Sequence, residues 1–202
     1  MIVKRVFDFT ASLAGLIILS PVLLLTGILI RIVMPGGPVL FRQKRVGRHG
    51  KLFTLMKFRT MDPSNGGNSI TVSGEHRITP VGRILRKFKL DEFPGLWNVL
   101  KGEMSLVGPR PDVPGYADKL SGPDRRLLNI RPGLTGPATL KYADEEELLA
   151  QQDDPVRFND EVIFPDKVRI NLNYMDNWSF RLDIKILFRT LLGKKMKEPW
   201  AL

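Results

Sequence analysis

Two adjacent carboxylates, Asp91 and Glu92, open the most informative stretch of the 202-residue chain, KLDEFPGLWNVLKGEMSLVGPRPD, from Lys89 to Asp112. Pro94 suits the first turn of a helix, where a proline costs no hydrogen bond, so the spacing predicts a helix from about Asp91 to Leu100 closed by Gly102. Asp91 then sits at or near the N-cap, where unpaired N–H groups and the helix dipole stabilise anions, a bound phosphate included. Taken alone, the pair is better explained as an ordinary capping aspartate beside a glutamate. Further on, Arg110 stands between Pro109 and Pro111, which restrict its backbone; its plain alternative is a surface arginine paired with Asp112. The chain has no Cys and only two His, His49 and His76. Thiolate nucleophiles, disulfides and cysteine or histidine metal cages are therefore excluded, and a nucleophile must be oxygen or nitrogen.

The elements that must position these groups begin with an apolar run. From Phe9 to Ile30, 22 residues carry no charge, a helical length of ~33 Å that suffices to cross a bilayer. It exceeds a usual signal-peptide core and no A-x-A-like site closes it. Ser20-Pro21 interrupts its middle, where a proline removes a backbone hydrogen bond and crowds the preceding turn, so a bend is expected there, with the Ser20 hydroxyl serving a freed backbone group. Both flanks are basic, with Lys4 and Arg5 before the run and Arg31, Arg42, Lys44, Arg45 and Arg48 after it, and basic flanks stay cytoplasmic. A re-entrant helix-break-helix hairpin over residues 1–34 satisfies both features, and a plain span is its even competitor. Residues 1 to 61 hold ten Lys and Arg against one acid, while 62 to 202 hold 21 against 20. Basic residues around an apolar run fit anionic headgroups of a phospholipid membrane and a phosphorylated substrate, not nucleic acid, which calls for interleaved aromatic and basic residues.

Residues 35–202 are expected to form an interfacial domain on the cytoplasmic side. VLFRQKRVG and LFTLMKFRT alternate about Arg48-His49-Gly50-Lys51, a short antiparallel β-hairpin with a basic face. Residues 62–76 are turn formers and read as a loop. Thr79-Pro80 has the N-cap and first-turn-proline signature of a helix through VGRILRKF, whose Arg83, Arg86 and Lys87 could lie against headgroups. Another helix fits Ser179 to Leu192, ahead of Gly193, and a weaker signal covers 144–151. Trp178, Lys194, Lys195 and Trp200 suggest interfacial support for this last helix, with core packing as the equal alternative. The predicted fold is α-rich α/β (α+β), lying on a membrane.

The order of blocks resembles a known family. KRVFDF with the apolar run and Ser20-Pro21, FRQKRVG, LFTLMKFRTM, TPVGRILRK, LDEFPGLWNVLKGEMSLVGPRP, IRPGLTG and SFRLDIKILFRTL together resemble the bacterial sugar transferases, specifically the small monotopic polyprenyl-phosphate phosphoglycosyl transferases. The resemblance covers nearly the whole chain, and its central block is specific. It implies a two-step reaction at the cytoplasmic face of the bacterial inner membrane. Asp91 attacks the β-phosphate of a UDP-sugar, UMP leaves, and polyprenyl (undecaprenyl) phosphate takes the sugar phosphate from the enzyme. Glu92 is implied as its partner, helping to hold Mg2+ or to manage protons, with Asp91 and Glu92 the metal carboxylates; the metal lessens repulsion between nucleophile and diphosphate. Arg110, with Pro109 and Pro111, is implied to grip phosphate, Lys57, Arg59 and Arg131 to meet phosphate or uridine, and Arg86 to meet a lipid headgroup, while Lys57 and Arg59 could equally be solvated on one strand face. Residues 141–166 match none of these blocks and are expected to bear on the choice of sugar. A noncatalytic membrane scaffold would need no Asp91-Glu92 pair, and an aspartyl-phosphate phosphatase would show D-x-D-x-T/V around Asp91, which is absent.

Overall fold

The computed structural model describes residues 2–62 and 77–196. The expected loop from residue 63 onward, and Trp200, lie outside them. Element order is α1 (Ile2–Val33), β1 (Leu40–Val46), β2 (Leu52–Phe58), α2 (Pro80–Lys87), α3 (Leu96–Lys101), β3 (Ser105–Val107), β4 (Gly133–Thr135), α4 (Pro137–Lys141), α5 (Glu145–Ala150), α6 (Pro155–Phe158), α7 (Phe164–Asp176) and α8 (Phe180–Leu191). The α-rich composition with a small antiparallel hairpin agrees with expectation.

The expected helix-break-helix does not. Helix α1 continues through Pro21 without interruption. The missing proline N–H leaves the Ile17 carbonyl without its usual donor, and the Ser20 hydroxyl supplies one at 2.8 Å, so the backbone group is satisfied without a break. Side-chain packing on both sides of the proline also holds the helix against the domain. Leu16 and Leu19 pack on the main core, and Leu23 packs on a second cluster made by Ile30, Met34, Phe58 and Leu85.

Polar anchors fix the start of α1. Arg5 donates to the carbonyls of Val99 at 2.7 Å and Leu100 at 2.8 Å, capping the C-terminal end of α3 where the helix dipole favours a cation. Asp8, almost fully buried, accepts from the Leu106 N–H at 3.0 Å. Lys4 reaches the buried Asp183 of α8 at 2.5 Å, and Asp183 also accepts from Tyr174 at 2.5 Å and Trp178 at 3.0 Å. The outer side of α1 exposes Ile17, Ile18, Leu24, Leu25 and Ile32, each at least 65% accessible. Such a contiguous apolar face on a 32-residue helix is the signature of a membrane-contacting surface rather than of a helix in an aqueous domain.

The hairpin forms as predicted, β1 and β2 pairing antiparallel with Leu40 opposite Phe58 and Val46 opposite Leu52. Thr79 caps α2 by accepting from the Gly82 N–H at 2.9 Å, with Pro80 at the first position. Ser179 likewise caps α8, accepting from Leu182 at 3.2 Å. The sequence did not reveal the parallel pairing of β3 with β4, which lays the SLVGPRP and RPGLTG blocks side by side. A Cβ on Gly133 would stand 2.1 Å from the Gly108 nitrogen, and one on Gly136 2.1 Å from the Gly108 oxygen. The two backbones approach so closely that only glycine fits at either place. Helix α7 was also unforeseen; Val168, Ile170 and Tyr174 bury its inner face.

Candidate active site

The expected helix around Asp91 begins as a 3-10 turn, Leu90–Gly95, that runs directly into α3. Lys89 precedes the turn in the left-handed conformation (φ 56°) and holds the cap position, so Asp91 lies inside the turn rather than at its cap. Gly102 closes α3 at φ 84°, as anticipated. Asp91 is buried, and its Oδ1 has no hydrogen-bond partner among the described residues. A buried carboxylate oxygen without a donor costs stability, which fits a group reserved for chemistry more readily than one serving as a cap.

Glu92 takes up the cations instead. Its Oε1 accepts from Lys57 Nζ on β2 at 2.9 Å and from Arg110 Nη2 at 2.7 Å. Burial, the largest influence, would raise the Glu92 pKa, but Arg110 and Lys57 together hold it far below the ordinary carboxylate range. Arg110 is raised in turn, chiefly by Glu92, whereas burial lowers Lys57. At Asp91 burial dominates and raises the pKa, against the opposing pull of Lys57 and with a further rise from Glu92. Two adjacent carboxyls are thereby separated in character, one held toward its ionised form by two cations, the other pushed by burial toward its protonated form.

Asn98, fully buried on α3, welds the turn to the hairpin. It accepts from Met56 N–H at 3.2 Å and donates to the Thr54 carbonyl at 2.8 Å and to Glu103 at 2.7 Å. This positioning role escaped sequence reasoning because a lone asparagine in an apolar stretch carries no spacing signal. Arg45, noted only as a flanking cation, donates to the Pro111 carbonyl at 3.1 Å and fixes the turn behind Arg110. Burial, then repulsion from Arg110, lowers its pKa to about 10.

Of the remaining predicted residues, Arg59 and Arg131 are bound elsewhere and Arg86 stands near Asp91. Arg59 is buried and donates to the Met34 carbonyl, joining the hairpin to the end of α1. Arg131 binds the Gly102 carbonyl at 2.8 Å, at the far end of α3. Arg86 donates to Thr60 at 3.2 Å and pairs with Glu146 of α5 at 2.8 Å, close enough to Asp91 to lower its pKa. Arg110 pairs with Glu92, not with Asp112. Pro109 and Pro111 flank it as expected, and Pro109 accepts from the Gly133 N–H at 2.7 Å.

Burial raises the Asp112 carboxyl to about 6, against the pull of Lys167 and Arg45. A raised folded-state pKa means that the native protein binds the proton more tightly than the unfolded chain does. This group therefore detracts from stability above pH 6, and the deficit disappears as the pH falls toward 4. Asp112→Asn is accordingly expected to raise the melting temperature at pH 7.5 by more than it does at pH 4.5, as thermal scans at the two pH values would measure.

Among the described residues no group of three or more His, Asp or Glu could hold a metal. Mg2+ does not require one, since it binds through one or two carboxylates together with substrate phosphates and water. Asp91, with its unpartnered Oδ1, fits that role, whereas Glu92 Oε1 is already engaged by two cations.

With this geometry established, comparison with known proteins gives the class. Residues 1–196 match the family model described as bacterial sugar transferase, and the chain belongs to that family. It is a transferase. It is 39% identical over 191 residues to the sugar transferase EpsL of Bacillus subtilis, covering 95% of this chain and 86% of that protein. It is 36% identical over 197 residues to the UDP-glucose:undecaprenyl-phosphate glucose-1-phosphate transferase of Caulobacter vibrioides, covering 93% of this chain and 68% of that one. A third relative, the UDP-N-acetylgalactosamine-undecaprenyl-phosphate N-acetylgalactosaminephosphotransferase of Aeromonas hydrophila, is 34% identical over 197 residues, 94% of this chain but 43% of the relative's length.

Proposed function

We propose that this chain moves a sugar-1-phosphate from a UDP-sugar to undecaprenyl or another polyprenyl phosphate through a covalent intermediate on Asp91. The observation that carries the reading is the buried Asp91 carboxylate, one oxygen unpartnered, beside a Glu92 that holds Lys57 and Arg110 in place. An Asp91 oxygen attacks the β-phosphorus, and the bond from that phosphorus to the bridging oxygen breaks, so that UMP leaves with the electron pair and an acyl phosphate carrying the sugar remains. An oxygen of the polyprenyl phosphate then attacks the same phosphorus and the Asp91 carboxylate departs. Lys57 and Arg110, fixed by Glu92, face the developing phosphate charge with preorganised donors. Mg2+, held by Asp91 and the diphosphate, would neutralise part of the charge the carboxylate must approach.

The membrane arrangement belongs to the same proposal. Both ends of α1 dock on one domain, Arg5 against α3 and Ile30 against Phe58 and Leu85, which supports a monotopic anchor with the domain on the cytoplasmic face of the inner membrane. An acceptor phosphate fixed at headgroup level then meets a site held at that level. The names of the relatives support undecaprenyl phosphate as acceptor and a UDP-sugar as donor.

The test is incubation with UDP-sugars in the absence of lipid acceptor. The expected result is stoichiometric UMP and a protein mass increased by one phosphosugar. Release of UMP only when polyprenyl phosphate is present would replace the covalent intermediate with direct transfer.

A further inference from the structure

The chemistry assigned to Asp91 leaves the sugar unread. The sugar hangs from the phosphorus that Asp91 attacks, so its hydroxyls fall beside the dyad, and the groups gathered there are mostly donors: Lys57, Arg110 and Arg86. Hydroxyls also need acceptors, and carboxylates are the strongest available.

Helix α5 places two at the rim. Leu149, 1% exposed, pins the helix, and in its first turn Glu145 is partly buried, Glu146 is half-exposed and Glu147 is exposed. Both Glu145 oxygens are engaged by Lys167 of α7, at 2.7 and 2.6 Å. Glu146 uses Oε1 on Arg86, whose Nε is held by the Thr60 hydroxyl, and among the described residues its Oε2 has no hydrogen-bond partner. Lys167 takes up Glu145 on both oxygens, whereas Arg86 fixes Glu146 through one oxygen and leaves the other open.

A tether between α5 and α2 is the bland account, but a half-exposed ion pair contributes little to stability. Carboxylates beside a diphosphate site also oppose substrate binding, so their presence calls for a compensating use. The segment lies in the stretch from 141 to 166, which none of the family-like blocks covers.

We propose that Glu146 is a specificity-determining residue, its free oxygen accepting a hydrogen bond from a hydroxyl or amide N–H of the transferred sugar while Arg86 holds the carboxylate in position. This rests on the transfer reaction proposed above. The test compares kcat/KM for wild type, Glu146→Gln and Glu147→Gln across UDP-glucose, UDP-galactose, UDP-N-acetylglucosamine and UDP-N-acetylgalactosamine, and measures the Kd of UMP, which carries no sugar. Losing one charged hydrogen bond should change the selectivity of Glu146→Gln among these donors by about tenfold or more. The UMP Kd should move by less than about twofold, and Glu147→Gln should keep the wild-type ranking. A common loss on every donor would reduce Glu146 to a tether for Arg86 and overturn the proposal. A markedly tighter UMP complex would make it a competitor of phosphate instead and overturn it equally. Wild type that releases UMP from no donor would instead sink the transfer reaction itself, so the two failures are distinguishable.

Discussion

Asp91→Asn is expected to abolish UMP release, by at least about 10³-fold, while the protein stays folded and membrane-bound. Replacing a nucleophile removes the covalent route outright, and comparable losses in other enzymes reach or exceed this size. An amide nearly matches the carboxylate in shape, so Glu92, Lys57 and Arg110 keep their mutual contacts. Stability should move in the opposite direction to activity. Burial raises the Asp91 pKa, so the ionised group is less favourable in the folded protein than in the unfolded chain, and its contribution above the folded pKa is unfavourable. Removing the charge at pH 7.5 should leave the melting temperature unchanged or higher. Turnover by the variant comparable with wild type, or the same mass increase from UDP-sugar, would show that another group forms the intermediate.

What could be read in the sequence follows the range of the interaction that builds each part. Thr79 and Ser179 cap helices through bonds to residues three positions on, and the hairpin from Leu40 to Phe58 turns on the five residues between Val46 and Leu52, so local chemistry announced all three. The Asp91–Glu92 pair and Arg110 stood out as residue types, and the structure joins Glu92, Lys57 and Arg110 at one point. Their division of labour was not legible, because it depends on which carboxyl β2 and the β3–β4 turn happen to face. The parallel pairing of β3 with β4 links three-residue strands across 25 intervening residues, too short and too distant for any periodicity. Arg59, Arg86 and Arg131 bond to the Met34 carbonyl, to Glu146 and to the Gly102 carbonyl, partners that no spacing rule anticipates. The proline in α1 was a correct signal for an orphaned carbonyl and a wrong one for a break, since the neighbouring serine supplied the bond locally.

Single cysteines at Ile2 and Gly36 of this cysteine-free chain are expected to resist a membrane-impermeant maleimide in intact spheroplasts and to react once the membrane is opened. Ile2 is 82% exposed, so its protection cannot come from burial in the protein. The expectation rests on what a spanning α1 would have to give up. Lys4 and Arg5 would cross the bilayer, at about 2.5 to 3.5 kcal/mol each on insertion scales. The Lys4–Asp183 pair would break, leaving a buried carboxylate without its cation at roughly 3 to 5 kcal/mol, and the C-terminal end of α3 would lose the two bonds from Arg5. Against these a span gains the transfer into lipid of apolar side chains that a shallow anchor already immerses in part. Lys4→Gln and Arg5→Gln together remove most of the opposing terms, and in that background a fraction of Ile2→Cys molecules should become labelled from outside, with activity falling in proportion as the site is turned away from the headgroup plane. Labelling of Ile2→Cys from outside in the otherwise wild-type protein would return α1 to an ordinary transmembrane helix and detach its N-terminal turn from α3 and α8 in the membrane.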